Sequence, residues 1–276
     1  MPTNSRPVRA PHLKEMKRRG EPIAVLTAYD AVMARLFEQS GADVILVGDS
    51  VGMAVLGYAS TIPVTMAMMV HHTQAVVRGT SRALVVADMP FLAAQASLAD
   101  AVLNAGRLVQ EGGAAAVKIE GGQPVLAAVR RLIEVGIPVM GHLGLQPQSV
   151  NQLGGFRKQA IERTDADQLL IDAQALEAAG AFALVLESIP PEVAAAATQL
   201  LSIPTIGIGA GPSCDGQVLV GHDMLGLSVQ APPSFVRQYA RLAEAIGAAA
   251  ADYVSDVKGG RFPERPVAAG LARDVP

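Results

Sequence analysis

Residues able to bind cations or move protons stand at the ends of short apolar runs in this chain. Asp49 and Ser50 follow Val44–Val47, and Asp88 follows Ala83–Ala87. Lys118 and Glu120 close the run that starts at Ala116. His142 follows Pro138–Gly141, and Glu187 follows Ala183–Leu186. A charged group at the edge of so apolar a stretch needs a partner, a metal or water. Asp49, Asp88 and Glu120 are three hard oxygen ligands, and with few His and no Cys beside them they favour Mg²⁺ over Zn²⁺. Such an ion keeps positions open for the carboxylate and keto oxygens of an α-keto acid. It would stabilise an enolate through the keto oxygen, while Lys118 balances the carboxylate. Glu187 could then remove the proton next to the carbonyl. Lys118 and Glu120 are two residues apart, so they share one face of a strand.

Each residue also has a plain structural reading. Asp49, Asp88 or Glu120 could cap a loop or a helix. Lys118 could form a salt bridge with Glu120 or Asp88, and His142 could be a satisfied structural histidine. Glu187 could cap a helix starting at Pro190-Pro191. The GIGAG run, Gly207–Gly211, is either a phosphate-binding turn or a tightly packed one. Cys214 reads as a packed thiol, and His71-His72 as a surface or interface pair.

The elements that must position these groups follow from the apolar runs. Besides the runs at 44–47, 83–87, 116–119, 138–141 and 183–186, there are others at Ile23–Thr27, Thr205–Ile208 and Gln217–Val220. They are continuous rather than alternating, as expected for parallel strands buried on both faces. Helical stretches lie between them, with polar residues before and Gly after: 30–40, 64–78, 97–111, 124–135, 165–179 and, starting on Pro, 191–200. This alternation fits an open doubly wound sheet too, but the count of strands favours a single (β/α)₈ barrel over residues 1–276. Residues 1–20 form a basic arm and short helix, 233–258 one or two Ala-rich helices closing the ring, and 259–276 a polar tail.

Composition narrows the class. Half of the 276 residues are hydrophobic, 17% are charged and 4% aromatic, with no Trp. That is too apolar for disorder. A formal charge of −3 with few aromatics lacks the basic stripe and stacking platforms of a nucleic-acid binder. No stretch approaches the length of a membrane span. A single Cys excludes an intramolecular disulfide and fits a reducing, cytoplasmic setting. The basic start has no apolar core after it, so it is not read as a secretory signal, and its scarce Ser and frequent Pro argue against a transit peptide.

Longer segments carry a family likeness. LTAYD (Leu26–Asp30), LVGDSVGMAVLGY (Leu46–Tyr58), DMPF (Asp88–Phe91) and VKIEGG (Val117–Gly122) resemble ketopantoate hydroxymethyltransferases. So do MGHLGLQPQSVNQLGGF (Met140–Phe156), LVLESIP (Leu184–Pro190) and TIGIGAGPSCDGQVLVGHDMLGL (Thr205–Leu227), in family order. The resemblance implies a (β/α)₈ barrel of the phosphoenolpyruvate/pyruvate type. It implies transfer of a hydroxymethyl group from 5,10-methylenetetrahydrofolate to 3-methyl-2-oxobutanoate, giving 2-dehydropantoate on the route to pantothenate and coenzyme A. By the family's motifs, Asp49, Asp88 and Glu120 would hold Mg²⁺, and Ser50 and Lys118 would contact the keto acid. Glu187 would accept the proton, with His142 near the reacting end. Family members are typically large homo-oligomers, often decamers of two rings. Two other readings of the same barrel are a metal-dependent pyruvate-type aldolase or lyase and a non-catalytic metabolite-binding subunit.

Overall fold

All eight apolar runs form strands in the computed structural model, which describes residues 6–228 and 232–264. They are β1 (Ile23–Thr27), β2 (Val44–Val47), β3 (Leu84–Asp88), β4 (Ala116–Glu120), β5 (Val139–Gly144), β6 (Ala183–Glu187), β7 (Thr205–Ile208) and β8 (Gly216–Leu219). Each pairs in parallel with its neighbours in sequence, and β8 pairs with β1, so the sheet closes into a barrel. The β3, β5 and β6 strands reach further than the apolar runs alone implied. Asp88, His142 and Glu187 therefore belong to the strands themselves.

The helices are α1 (Ala10–Arg19), α2 (Ala31–Gln39), α3 (Val51–Ala54), α4 (Met66–Gly79), α5 (Leu98–Gln110), α6 (Leu126–Glu134), α7 (Val150–Leu153), α8 (Arg163–Ala178), α9 (Pro191–Leu200), α10 (Gly221–Met224) and α11 (Leu242–Lys258). Polar caps set several of the starts. Asp30 accepts from the Val32 and Met33 amides, Thr65 from Met68 and Ser97 from Asp100. These side chains satisfy amides that the first helical turn leaves without partners. Among the described residues, no helix is long and apolar enough to cross a membrane.

Strand parity sorts the side chains. Ile23, Val25, Val44, Leu46, Leu84, Val86, Ala116, Met140, Ala183, Val185, Ile206 and Val218 fill the inside of the barrel as one cluster. Leu13 of α1 joins that cluster and is fully buried, so the N-terminal helix seals the lower end. Lys17 of the same helix pins it there. Its Nζ lies 3.0 Å from Asp215 and donates to the carbonyls of Thr198 (2.8 Å) and Ile203 (3.1 Å).

The C-terminal part departs from expectation. Of residues 233–258, only Leu242–Lys258 is helical, and none of its residues is buried. Within one chain α11 does not close the ring. The outward positions of β2, β3 and β4 are all buried, whereas Ala24 of β1 and Gln217 of β8 are exposed. Here β1 and β8 line an open groove of about 1050 Å³ that also touches Phe235 and Tyr239. The main chain of Tyr239, Leu242 and Ala243 hydrogen-bonds back to the carbonyls of Met224, Leu225 and Gly226 beside the one-turn α10. Residues 1–5 of the basic arm and 265–276 of the polar tail lie outside the described residues.

Candidate active site

The interior positions of β3 to β6 run on upward from the apolar layers into charged ones. Leu84 and Val86 lead to Asp88, Ala116 leads to Lys118 and Glu120, Met140 to His142, and Ala183 and Val185 to Glu187. A strand repeats every two residues, so these groups must point into the same mouth as the apolar ones below them. Register sets them side by side: Asp88 pairs with Lys118 across β3 and β4, and Glu120 with His142 across β4 and β5. The upper ends of the strands are where barrel enzymes carry their sites.

The charged groups form one buried network. Lys118 Nζ lies 3.1 Å from Asp88 Oδ1 and 3.1 Å from His142 Nδ1. His142 Nδ1 is 3.7 Å from Glu120 Oε1, and its Nε2 is 3.2 Å from Glu187 Oε2. Asp49 follows β2, and its amide donates to Asp88 Oδ2 at 3.1 Å. Asp49, Asp88, Lys118, Glu120 and His142 are each at most 4% exposed. Ser50 stands at the margin, with its Oγ 2.8 Å from the Tyr29 hydroxyl, which accepts from Thr27 Oγ1 at 3.0 Å. Gly48 leaves room for this arrangement, since a Cβ there would come within 2.5 Å of Ser50 Oγ.

Burial and mutual repulsion govern ionisation. Burial first, then the neighbouring Asp88, pushes Asp49 up to about 7. Burial also raises Glu120 well above the usual carboxylate range, although Lys118 pulls the other way. Burial pushes Glu187 up to about 7, with Lys118 again opposing. For Lys118 burial alone would favour the neutral amine, but Asp88, Glu120 and Asp49 together hold it above its ordinary value. Burial and the Lys118 charge keep His142 neutral, well below the usual histidine value.

Neither Asp49 nor Glu187 caps a helix: α3 and α9 begin without a side-chain cap. Lys118 does pair with Asp88, as the simplest reading of it held. The GIGAG turn is packed tight. A Cβ on Gly207 would meet Cys214 and Gln217, one on Gly209 the Phe235 ring, and one on Gly211 Pro191. His72 is tied to the fold through its Nδ1, 2.8 Å from the Tyr29 carbonyl oxygen, while His71 is exposed.

Three carboxylates against one ammonium ion suit a hard divalent cation. Asp88 Oδ1 and His142 Nε2 lie within ion-pair distance of a neighbour but outside hydrogen-bond geometry, which leaves both able to engage a ligand. As they stand, no three His, Cys, Asp or Glu side chains among the described residues converge at coordination geometry. Their oxygens are instead turned to Lys118, to backbone amides and to Gln148, a residue the sequence reading passed over. Gln148 donates from Nε2 to Asp49 Oδ2 at 2.8 Å and from its amide to Glu120 Oε2 at 3.1 Å. A polar residue four positions past a strand looks the same whether it folds inward or outward, so only its place within GLQPQS hinted at a role.

Comparison with known proteins fits this site. Residues 7–265 match the model of one family, described as ketopantoate hydroxymethyltransferase. The chain belongs to the ketopantoate hydroxymethyltransferase family. It is 58% identical over 258 residues to the 3-methyl-2-oxobutanoate hydroxymethyltransferase of Moorella thermoacetica, covering 94% of this chain and 96% of that one. With the protein of that name from Carboxydothermus hydrogenoformans it shares 54% identity, covering 95% of each. Membership makes the chain a transferase enzyme. Among solved structures, a phosphonopyruvate hydrolase complexed with oxalate and Mg²⁺ superposes with a TM-score of 0.62 at 14% identity, covering 92% of this chain and 88% of that one. A 2,3-dimethylmalate lyase of the PEP mutase/isocitrate lyase superfamily gives 0.59 at 18% identity, covering 92% and 89%. At such identities the likeness is one of fold.

Proposed function

We propose that this family member transfers a hydroxymethyl group from 5,10-methylenetetrahydrofolate to 3-methyl-2-oxobutanoate, yielding 2-dehydropantoate. The observation that carries the reading is Glu187, a carboxylate 16% exposed, poised near neutrality and 3.2 Å from the His142 ring, beside a cluster of three buried carboxylates and one lysine. Asp49, Asp88 and Glu120 would hold Mg²⁺ or another divalent ion, which supplies Lewis-acid stabilisation of the enolate oxygen. Lys118, held charged, balances the substrate carboxylate, and Ser50 hydrogen-bonds the keto acid. Glu187 takes the proton from C3 as the C3–H bond breaks. Water adds to the methylene carbon of the folate as its two C–N bonds break, and tetrahydrofolate departs with the protons of that water. The carbanion forms a carbon–carbon bond to the freed one-carbon unit, and the proton held by Glu187 passes to the oxygen that becomes the hydroxyl. His142 stays neutral, with its Nε2 edge facing the Glu187 carboxylate at 3.2 Å.

The same reading makes the enzyme a homo-oligomer, as is typical of the family. What supports it is a pair of complementary defects among the described residues: α11 buries none of its residues, and an open groove rather than a helix lies along β1 and β8. A helix from a second copy of the chain would answer both. A reducing cytoplasm suits a chain whose one Cys is a half-buried free thiol.

The test is exchange of the C3 proton of 3-methyl-2-oxobutanoate with deuterated water, with and without divalent ion and tetrahydrofolate. Metal-dependent exchange in the wild type and none in Glu187→Gln is the expected result. Turnover with formaldehyde and no folate would favour an aldolase, and no exchange with any short keto acid a binding subunit.

A further inference from the structure

Gln148 lies in the 3-10 turn Pro147–Ser149 that follows β5, and it is 5% exposed. Its Nε2 donates to Asp49 Oδ2 at 2.8 Å and to the Met89 carbonyl oxygen at 2.9 Å. Its main-chain amide donates to Glu120 Oε2 at 3.1 Å. One residue thus grips the upper ends of β2, β3 and β4 from the far side of β5. The two side-chain partners are both acceptors, so only the NH₂ group can face them, and this fixes the way the amide points. Gln148 Oε1 is left buried without a partner.

Asp49 and Glu120 each give one oxygen to Gln148 and keep the other. Without such a hold, buried carboxylates that repel one another would turn apart or take up protons. We propose that Gln148 is a positioning residue, which holds Asp49 and Glu120 with one oxygen each turned free for a shared divalent cation. This rests on the reading of Asp49, Asp88 and Glu120 as cation ligands. Partners that orient metal ligands typically change affinity by about 10- to 100-fold when removed.

The experiment is Mn²⁺ binding to the full-length protein, followed by the electron paramagnetic resonance signal of the free ion, for wild type, Gln148→Leu and Asp49→Asn. Gln148→Leu should weaken binding by about 10- to 100-fold while melting stays cooperative, and saturating Mn²⁺ should recover most of kcat. If that variant does not melt cooperatively, Gln148→Met keeps the unbranched length without an N–H donor and carries the same measurement. Binding within about twofold of wild type in a folded variant overturns the proposal. If Asp49→Asn loses Mn²⁺ and the Gln148 variant keeps it, the positioning role alone fails. If Asp49→Asn binds as well as wild type, the ligand reading fails and takes this proposal with it.

Discussion

Lys118 donates to His142 Nδ1 at 3.1 Å, and that contact decides where the imidazole carries its proton. Lys118 remains charged among the carboxylates, so Nδ1 must accept and Nε2 must bear the hydrogen. The Nε2–H side faces Glu187 at 3.2 Å. The lysine on β4 thereby sets the tautomer on β5, which meets the carboxylate on β6.

Glu187→Gln should lower kcat by about 10²- to 10⁴-fold, the usual share of a general base. Substrate affinity should change little, because the amide is isosteric. Single-turnover kinetics alongside equilibrium binding of the keto acid would separate the two. A variant with more than a tenth of wild-type kcat would assign the base elsewhere.

The pH profile has a definite sign. Glu187 must be deprotonated to accept a proton, and burial raises its pKa to about 7. Activity should therefore rise with pH up to about 7 and level off above it. The initial rate of C3 exchange against pH reads this directly, and in Glu187→Asp the inflection should move. A flat profile across neutrality would contradict the assignment.

Lys118→Met should destabilise the fold by about 3–5 kcal/mol, the cost of leaving buried charge without its partner. Asp88, Glu120 and Asp49 would all lose the one cation beside them. Urea unfolding at neutral pH measures it, and added Mg²⁺ should restore part of the loss. A change below about 1 kcal/mol would mean that Lys118 is not what balances the buried cluster.

Leu13→Ala tests the lower seal. Removing a fully buried leucine from the barrel interior should cost about 2–5 kcal/mol. The candidate site lies above the apolar layers, so kcat at a permissive temperature should be unchanged. Thermal melts paired with activity assays would show whether stability and chemistry separate this way.

Deleting residues 242–276 removes α11, which contributes nothing to the core of its own chain. If a second copy receives that helix, the deletion should disperse the oligomer while circular dichroism still reports a folded barrel. Sedimentation velocity distinguishes the outcomes, and an unchanged mass would exclude the exchange.

Much of this was legible before folding. The eight runs were readable because strands covered on both faces carry unbroken apolar sequence. Lys118 and Glu120 could be put on one face because strand parity is strict. Asp88 and Glu187 were found by position but not by membership: a carboxylate that ends a strand looks like one that follows it. Gln148 and Tyr29 escaped because a lone buried polar residue leaves no periodic trace. The placement of α11 was misread because an Ala-rich pattern fixes a helix but does not say whose surface it meets. The packing of Gly207, Gly209 and Gly211 depends on Cys214, Phe235 and Pro191, which only tertiary structure brings near.

The seal formed by α1 makes the barrel a cup with a single opening. Below Asp88 and Lys118 lie filled apolar layers and then Leu13, so nothing leaves downward. Whatever binds among the charged groups arrives and departs through the same mouth. Any element that shields a bound ligand from water must therefore come from the loops that follow the strands.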